Sequence, residues 1–213
     1  MNAAAERIQA PDAIAEEDLA RADVYALVAQ LFYAPPDAAL LHSLASAGDL
    51  EEEGADGLLS PAWSALRRAA SACDAVVLRE EYDALFVGVG QSCVSPYALT
   101  YMDGAARRPH PLAALRETLA GLGLARSARA GEPEDHVAAL ADVMRHLIVD
   151  GARPEADRQR AQARFFSAFI EPWYAALCDA IEARAPGSFY RSVSCFTRAF
   201  LDLERASLRM EIS

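Results

Sequence analysis

Apolar residues return in this chain at steps of three and four, and proline or glycine cuts the runs that carry them at short intervals. That pattern admits helices of modest length and little else. Ala22, Tyr25, Ala26, Ala29 and Phe32 make one such stripe, widened by Val28 and Leu31, and Pro35-Pro36 stops it. The spacing predicts a helix over 16–33, then a short one over 37–47 with Asp37 as N-cap and Gly48 at its end. An acidic connector over 49–59 leads to Ser60-Pro61, an N-cap followed by a first-turn proline. Leu78, Tyr82, Leu85 and Phe86 mark a helix over 75–86 that closes at Val87-Gly88, and a loop over 88–96 follows. Periodicity fails over 103–111, which reads as a hinge.

Beyond the hinge, Leu112, Leu115, Leu119 and Leu122 form one short stripe; Val137, Leu140, Met144, Leu147 and Ile148 form a stronger one. Helices are predicted over 155–169, after Glu171-Pro172-Trp173, and over 189–208, the last burying Tyr190, Val193, Phe196, Phe200 and Leu203. The sum is an all-α globular fold of about nine helices without an internal repeat. Its expected organisation is a tail over 1–15, a helical half over 16–102, the hinge, and a second helical half over 112–213.

Composition narrows the function. No window approaches the roughly 18 apolar residues of a membrane-spanning helix. The first residues are acidic and alanine-rich, without a basic or apolar signal region, so a cytoplasmic protein is expected. A net charge of −11 argues against nucleic acid, which demands a basic surface, and suits a basic partner. All 20 basic residues are arginine. Cys73, Cys93, Cys178 and Cys195 show no metal spacing and read as free, largely buried thiols.

One short run stands apart. Glu132-Pro133-Glu134-Asp135-His136 follows a loose stretch and precedes the best helical stripe. Pro133 suits a helix start, Glu134 and Asp135 suit the positive end of the helix dipole, and His136 adds a group that titrates near neutrality. No phosphate cradle, nucleophile elbow, His-Glu-x-x-His or di-iron spacing accompanies it, so a binding protein without catalytic or metal residues is expected.

Four stretches together resemble a known family. Tyr82-Asp83-Ala84-Leu85-Phe86-Val87-Gly88 is similar to the Tyr-x-x-Leu-Phe-x-Gly signature of the TorD/DmsD/NarJ-like chaperones of molybdenum oxidoreductases. Glu132 to His136 matches that family's Glu-Pro-x-Asp-His motif. Leu31-Phe32-Tyr33-Ala34-Pro35-Pro36-Asp37 resembles its first helix and turn. Phe165-Phe166, Glu171-Pro172-Trp173, Phe189-Tyr190 and Phe200-Leu201 resemble its closing helices.

The resemblance implies an all-helical cytoplasmic chaperone. It would bind the twin-arginine signal peptide of an apo-molybdoenzyme catalytic subunit and hold it until cofactor is inserted. Ser95-Pro96-Tyr97 keeps a family element, but Ala98-Leu99 stands where Glu-Ser often follows, leaving the client open among formate dehydrogenase, nitrate reductase and sulfoxide or amine-oxide reductases. The expected client surface comprises Asp83, Leu85, Phe86, Gly88, Pro96, Tyr97, Glu132, Pro133, Glu134, Asp135 and His136, with Glu81 and Tyr101 nearby. Carboxylates would meet the arginines and the apolar residues a signal helix. The alternative is transient binding of molybdopterin guanine dinucleotide or GTP by the loop over 88–95 and the hinge, acting on the enzyme core without signal-peptide recognition. An acid–base enzyme built on His136 is a third reading. No permanent cofactor is expected, and either a monomer or a hinge-swapped dimer fits.

Overall fold

The computed structural model describes residues 14–50, 59–88, 92–102, 110–125, 131–185 and 187–210. The acidic connector, nearly all of the expected hinge, and residues 89–91 of the loop after Gly88 therefore lie outside the described residues. Nine α-helices are present among those described: α1 (Glu16–Tyr33), α2 (Ala38–Ser46), α3 (Leu59–Ala72), α4 (Ala75–Tyr82), α5 (Pro111–Gly121), α6 (Val137–Ile148), α7 (Glu155–Phe169), α8 (Tyr174–Arg184) and α9 (Phe189–Met210). A π turn, Asp83–Val87, extends α4, and a 3-10 turn covers Ala98–Thr100. The chain is all-α.

α1 lies along α6 and α3 along α9, so helices from before and after 103–111 share one core. The aromatic residues do most of the filling. Tyr25 meets Phe200 edge-on, and Phe86 packs against Phe32, Tyr82 and Tyr190. Full burial of a large apolar side chain is worth roughly 1.5–3 kcal/mol, so this cluster is a main source of stability.

The double proline creates a need that distant residues meet. An unbroken helix would satisfy the carbonyls of Leu31 and Phe32 from the residues four further on, but those are Pro35 and Pro36, which carry no N–H. The Tyr190 hydroxyl donates to the Leu31 carbonyl at 2.9 Å, and the Tyr82 hydroxyl donates to that of Phe32 at 3.1 Å. Two tyrosines from α4 and α9 thus close the end of α1. Glu81 completes the junction by accepting from the Tyr190 backbone N–H at 2.9 Å, which caps the start of α9.

Four expectations need correction. The strong helix begins at Val137 and not near Pro133, because His136 is its N-cap: the imidazole Nδ1 accepts from the Ala138 N–H at 3.1 Å. Glu134 and Asp135 therefore precede the first turn. Leu203 is 53% exposed, because Glu204, one residue on, occupies the inward position. Ser60 lies inside the first turn of α3, not at its cap. Of the cysteines only Cys178 is buried, and Cys93 is exposed.

Glu204 belongs to a buried charged cluster that the apolar stripes did not reveal. Arg21 donates to both Glu204 oxygens at 2.8 and 2.9 Å, to Asp18 at 2.8 Å and to Gln162 at 3.1 Å. The Tyr25 hydroxyl donates to Glu204 at 3.0 Å. Burial opposes the charge on Arg21, but the hydrogen bond and attraction of Glu204 outweigh it and raise its pKa. Burial, then Glu204, hold Tyr25 well above the usual tyrosine range. Arg158, also buried, approaches Asp18 at 3.6 Å while its Nε and Nη1 have no hydrogen-bond partner among the described residues.

Candidate functional site

The Pro-Tyr segment and the Glu-Pro-Glu-Asp-His segment, far apart in sequence, are joined backbone to backbone. The Ala98 N–H donates to the Asp135 carbonyl at 3.0 Å, and the Val137 N–H donates to the Pro96 carbonyl at 2.9 Å. Tyr97 and His136 thereby form an isolated antiparallel bridge, with their rings edge to face at 5.1 Å.

Asp135 is buried, and its carboxylate accepts from the Leu99 N–H at 3.3 Å, where it caps the 3-10 turn. Leu99, Leu140 and Phe169 join Asp135 around a small cavity beneath the junction. Burial lowers the His136 pKa against the pull of Glu132 and Asp135, which keeps the imidazole neutral and able to accept at Nδ1. Both residues of the motif's inner half are thus occupied in shaping the junction.

The outer half faces differently. The Tyr97 hydroxyl donates to the Glu132 carboxylate at 2.5 Å. Burial, then this bond, hold Tyr97 well above its ordinary pKa. Tyr82 is pushed up to about 12 by burial and, after it, by the nearby charges of Glu132 and Asp83. The same electrostatic reach connects Tyr82 to Tyr33. A β-carbon built on Gly131 would stand 4.0 Å from the Tyr33 hydroxyl, which sets α1's last residue over the start of the motif. Tyr33, Tyr82, Asp83, Tyr97 and Glu132 therefore form one neighbourhood drawn from four segments. Asp83 and Tyr33 are exposed, and Glu132 and Tyr97 are half-buried.

The remaining predicted residues divide. Glu134 pairs with Arg116 of α5 through two contacts of 3.0 and 3.2 Å, and Pro133 is exposed. Leu85 and Phe86 are 5% and 7% exposed and belong to the core, with the Leu85 carbonyl accepting from Val94 N–H at 2.9 Å. Pro96 is buried, and the Tyr101 hydroxyl donates to the Ser95 carbonyl. Glu81 caps α9. Gly88 closes the π turn by donating to the Asp83 carbonyl at 2.7 Å; its φ of 59° is one that side-chain-bearing residues rarely adopt. π turns inside helices are frequent at functional positions.

Tyr33 and Arg116 were missed in the sequence. Tyr33 had a signal, a large aromatic on the last turn before a double proline, but Arg116 had none. Among the described residues no cluster of His, Cys, Asp and Glu could hold a metal ion, and no helix is long and apolar enough to cross a membrane. The loop offered for a nucleotide is only partly within the described residues.

The described residues thus form a helical scaffold that presents carboxylates and tyrosines together. The profile of the nitrate reductase delta subunit family matches residues 52–179, and the chain belongs to this family, whose members are chaperones and not catalysts. The chaperone protein TorD of Ferrimonas balearica is 29% identical over 164 residues, covering 73% of each chain. TorD of Vibrio cholerae is 25% identical over 201 residues, or 88% of this chain and 91% of that protein. The chaperone protein YcdY of Escherichia coli is 28% identical over 148 residues, covering 67% and 74%. In three dimensions, a candidate redox enzyme maturation protein from Archaeoglobus fulgidus aligns with a TM-score of 0.53 at 15% identity, over 93% of this chain and 98% of that one. The likeness extends to the fold.

Proposed function

We propose that this protein is a cytoplasmic chaperone that binds an apo-molybdoenzyme catalytic subunit through its twin-arginine signal peptide and assists cofactor insertion before export. The observation that carries the reading is Glu132 hydrogen-bonded to Tyr97 beside Tyr33, with Asp83, from the other family motif, within electrostatic reach of the same Tyr82. Two carboxylates framed by aromatic rings suit a pair of guanidinium groups, which take ion pairs at their edges and ring contacts on their faces. Asp135 and His136 act from beneath, holding the Pro96–Tyr97 backbone against the start of α6.

Charge agrees with this assignment, since a chain at −11 attracts a basic peptide from a distance. The apolar part of the peptide, as a helix, would lie against the aromatic surface. In this reading the cofactor passes to the client.

Titrating the full chain with the signal peptide of a neighbouring molybdenum oxidoreductase tests the reading. Binding of the Arg-Arg peptide should exceed that of its Lys-Lys counterpart, because only guanidinium offers the planar fork. Equal affinity for both would remove the paired-arginine reading, and absence of binding by peptide and apo-enzyme alike would refute the proposal.

A further inference from the structure

A cavity of about 620 Å³ lies between the C-terminal end of α5 and the outer face of α7, and its chemistry is opposite to that of the acidic neighbourhood. Leu122, Phe165 and Phe169 make its floor, and Ala161 and Ala168 leave room above them. Arg153, Arg160 and Arg164 line it, with Asp157 as the carboxylate. In a chain of net charge −11, a trough whose three arginines face Asp157 and the adjoining Asp150 keeps a net positive charge.

We propose that this trough is a second docking surface, and that it takes an amphipathic helix of a client protein bearing glutamates or aspartates beside an apolar face. Charge complementarity, joined to an apolar lining, selects that occupant. Arg160 and Arg164 stand one helical turn apart, the interval at which carboxylates recur along one side of a helix. Arg160 pairs with Asp157 at 2.5 Å and Arg153 with Asp150 at 2.7 Å, while Arg164 makes no ion pair among the described residues. Arg164 thus carries the unpaired positive charge, and Arg160 and Arg153 flank it within ion pairs that an incoming carboxylate can share. The volume falls within the range of sites that enclose several apolar side chains.

Phe169 lines both this trough and the small interior cavity at Asp135. A twin-arginine segment is repelled from the trough, and an acidic helix is repelled from the Asp83–Glu132 side. Their opposite signs let one client be held at two places in a fixed orientation. The inference rests on the chaperone reading for the existence of a protein client, but not on recognition of its signal peptide.

The test uses the full chain and two labelled synthetic helical peptides, each with leucines on one face and either glutamates or lysines flanking it. Fluorescence anisotropy should show the glutamate peptide binding at least about tenfold tighter than the lysine peptide. Arg160→Glu with Arg164→Glu, both at exposed positions, should weaken it by about tenfold or more. Ala168→Trp, which fills the trough without altering charge, should weaken it as well. Neither variant should move the affinity for the twin-arginine peptide by more than about twofold, as expected for a separate site. Binding of the glutamate peptide without binding of the twin-arginine peptide would keep the trough and refute the signal-peptide reading. Equal binding of the two synthetic peptides, indifference to both variants, or displacement by inorganic phosphate at matched ionic strength would overturn the inference.

Discussion

Glu204 and Glu132 each accept a hydrogen bond from a tyrosine, Tyr25 in one case and Tyr97 in the other, yet their surroundings make them different objects. Glu204 is 2% exposed and held by both arms of the Arg21 guanidinium, between α1 and α9. Glu132 is half-buried on a loop, near exposed Asp83 and beside Tyr82. The first carboxylate clamps helices together. The second helps to set an acidic face at the surface. A buried charge is tolerated only with its partners in place, whereas a charge at the surface can answer to a molecule outside.

The sharpest test of that contrast is Glu204→Ala, which takes from half-buried Arg21 and buried Tyr25 the carboxylate they share. Urea unfolding should register a loss of about 3–5 kcal/mol, while peptide affinity, measured where the variant is folded, stays unchanged. Replacing both partners, Arg21→Met with Glu204→Leu, should recover most of the loss, since well-packed apolar pairs often match buried ion pairs. A loss no larger than that of a surface substitution would erase the distinction.

Tyr82→Phe comes next. It leaves the Phe32 carbonyl without its donor and should cost about 1–3 kcal/mol in the same assay. Should peptide affinity fall with no change in unfolding, Tyr82 would move from scaffold to binding face.

On the other side of the comparison, Asp83→Asn with Glu132→Gln should change stability by no more than about 0.5 kcal/mol each. Calorimetry should nevertheless find the twin-arginine peptide bound about tenfold more weakly, or about 1.4 kcal/mol. A large stability loss with intact binding would reverse the roles of the two regions.

The smallest effect concerns pH. Burial lowers the His136 pKa below its ordinary value of 6.5, so the unfolded chain takes up the proton first as pH falls. The contribution of His136 is complete above that value and declines as pH drops through the lowered folded pKa. His136→Asn keeps an acceptor for the Ala138 N–H and removes the titration, so melting temperature measured across this window should fall less steeply than in the parent.

Helices were legible where proline, glycine and apolar spacing agreed. α1 and α7 run over the predicted residues, because each carries a stripe and a clear stop. The start of α6 was misplaced by four residues: Pro133 and two acids imitate a helix start, but they form a turn closed by the His136 N–H on the Pro133 carbonyl, and the pairing of Asp135 and Val137 with Ala98 and Pro96 keeps that turn outside the helix. The Glu132–His136 motif was visible as a motif, yet not the division of labour within it. Which carboxylate faces inward depends on the Ala98–Thr100 turn, formed 36 residues away from Asp135. Arg21 and Glu204 escaped notice because periodicity weighs apolar residues, and two charges on inward stripes look like the ends of those stripes.

By itself the sequence determined the helical class, most helix boundaries and the residues of two family motifs. Those properties follow from local backbone preference and a repeat of 3.6 residues, which neighbours in the chain suffice to express. Tertiary structure alone decided that Tyr82 and Tyr190 replace donors missing from Pro35 and Pro36, that Glu204 lies inside, and that Glu132 takes the Tyr97 hydroxyl. The reason is that a buried polar group must find its partner in space, and here the partners lie up to 183 residues apart along the chain.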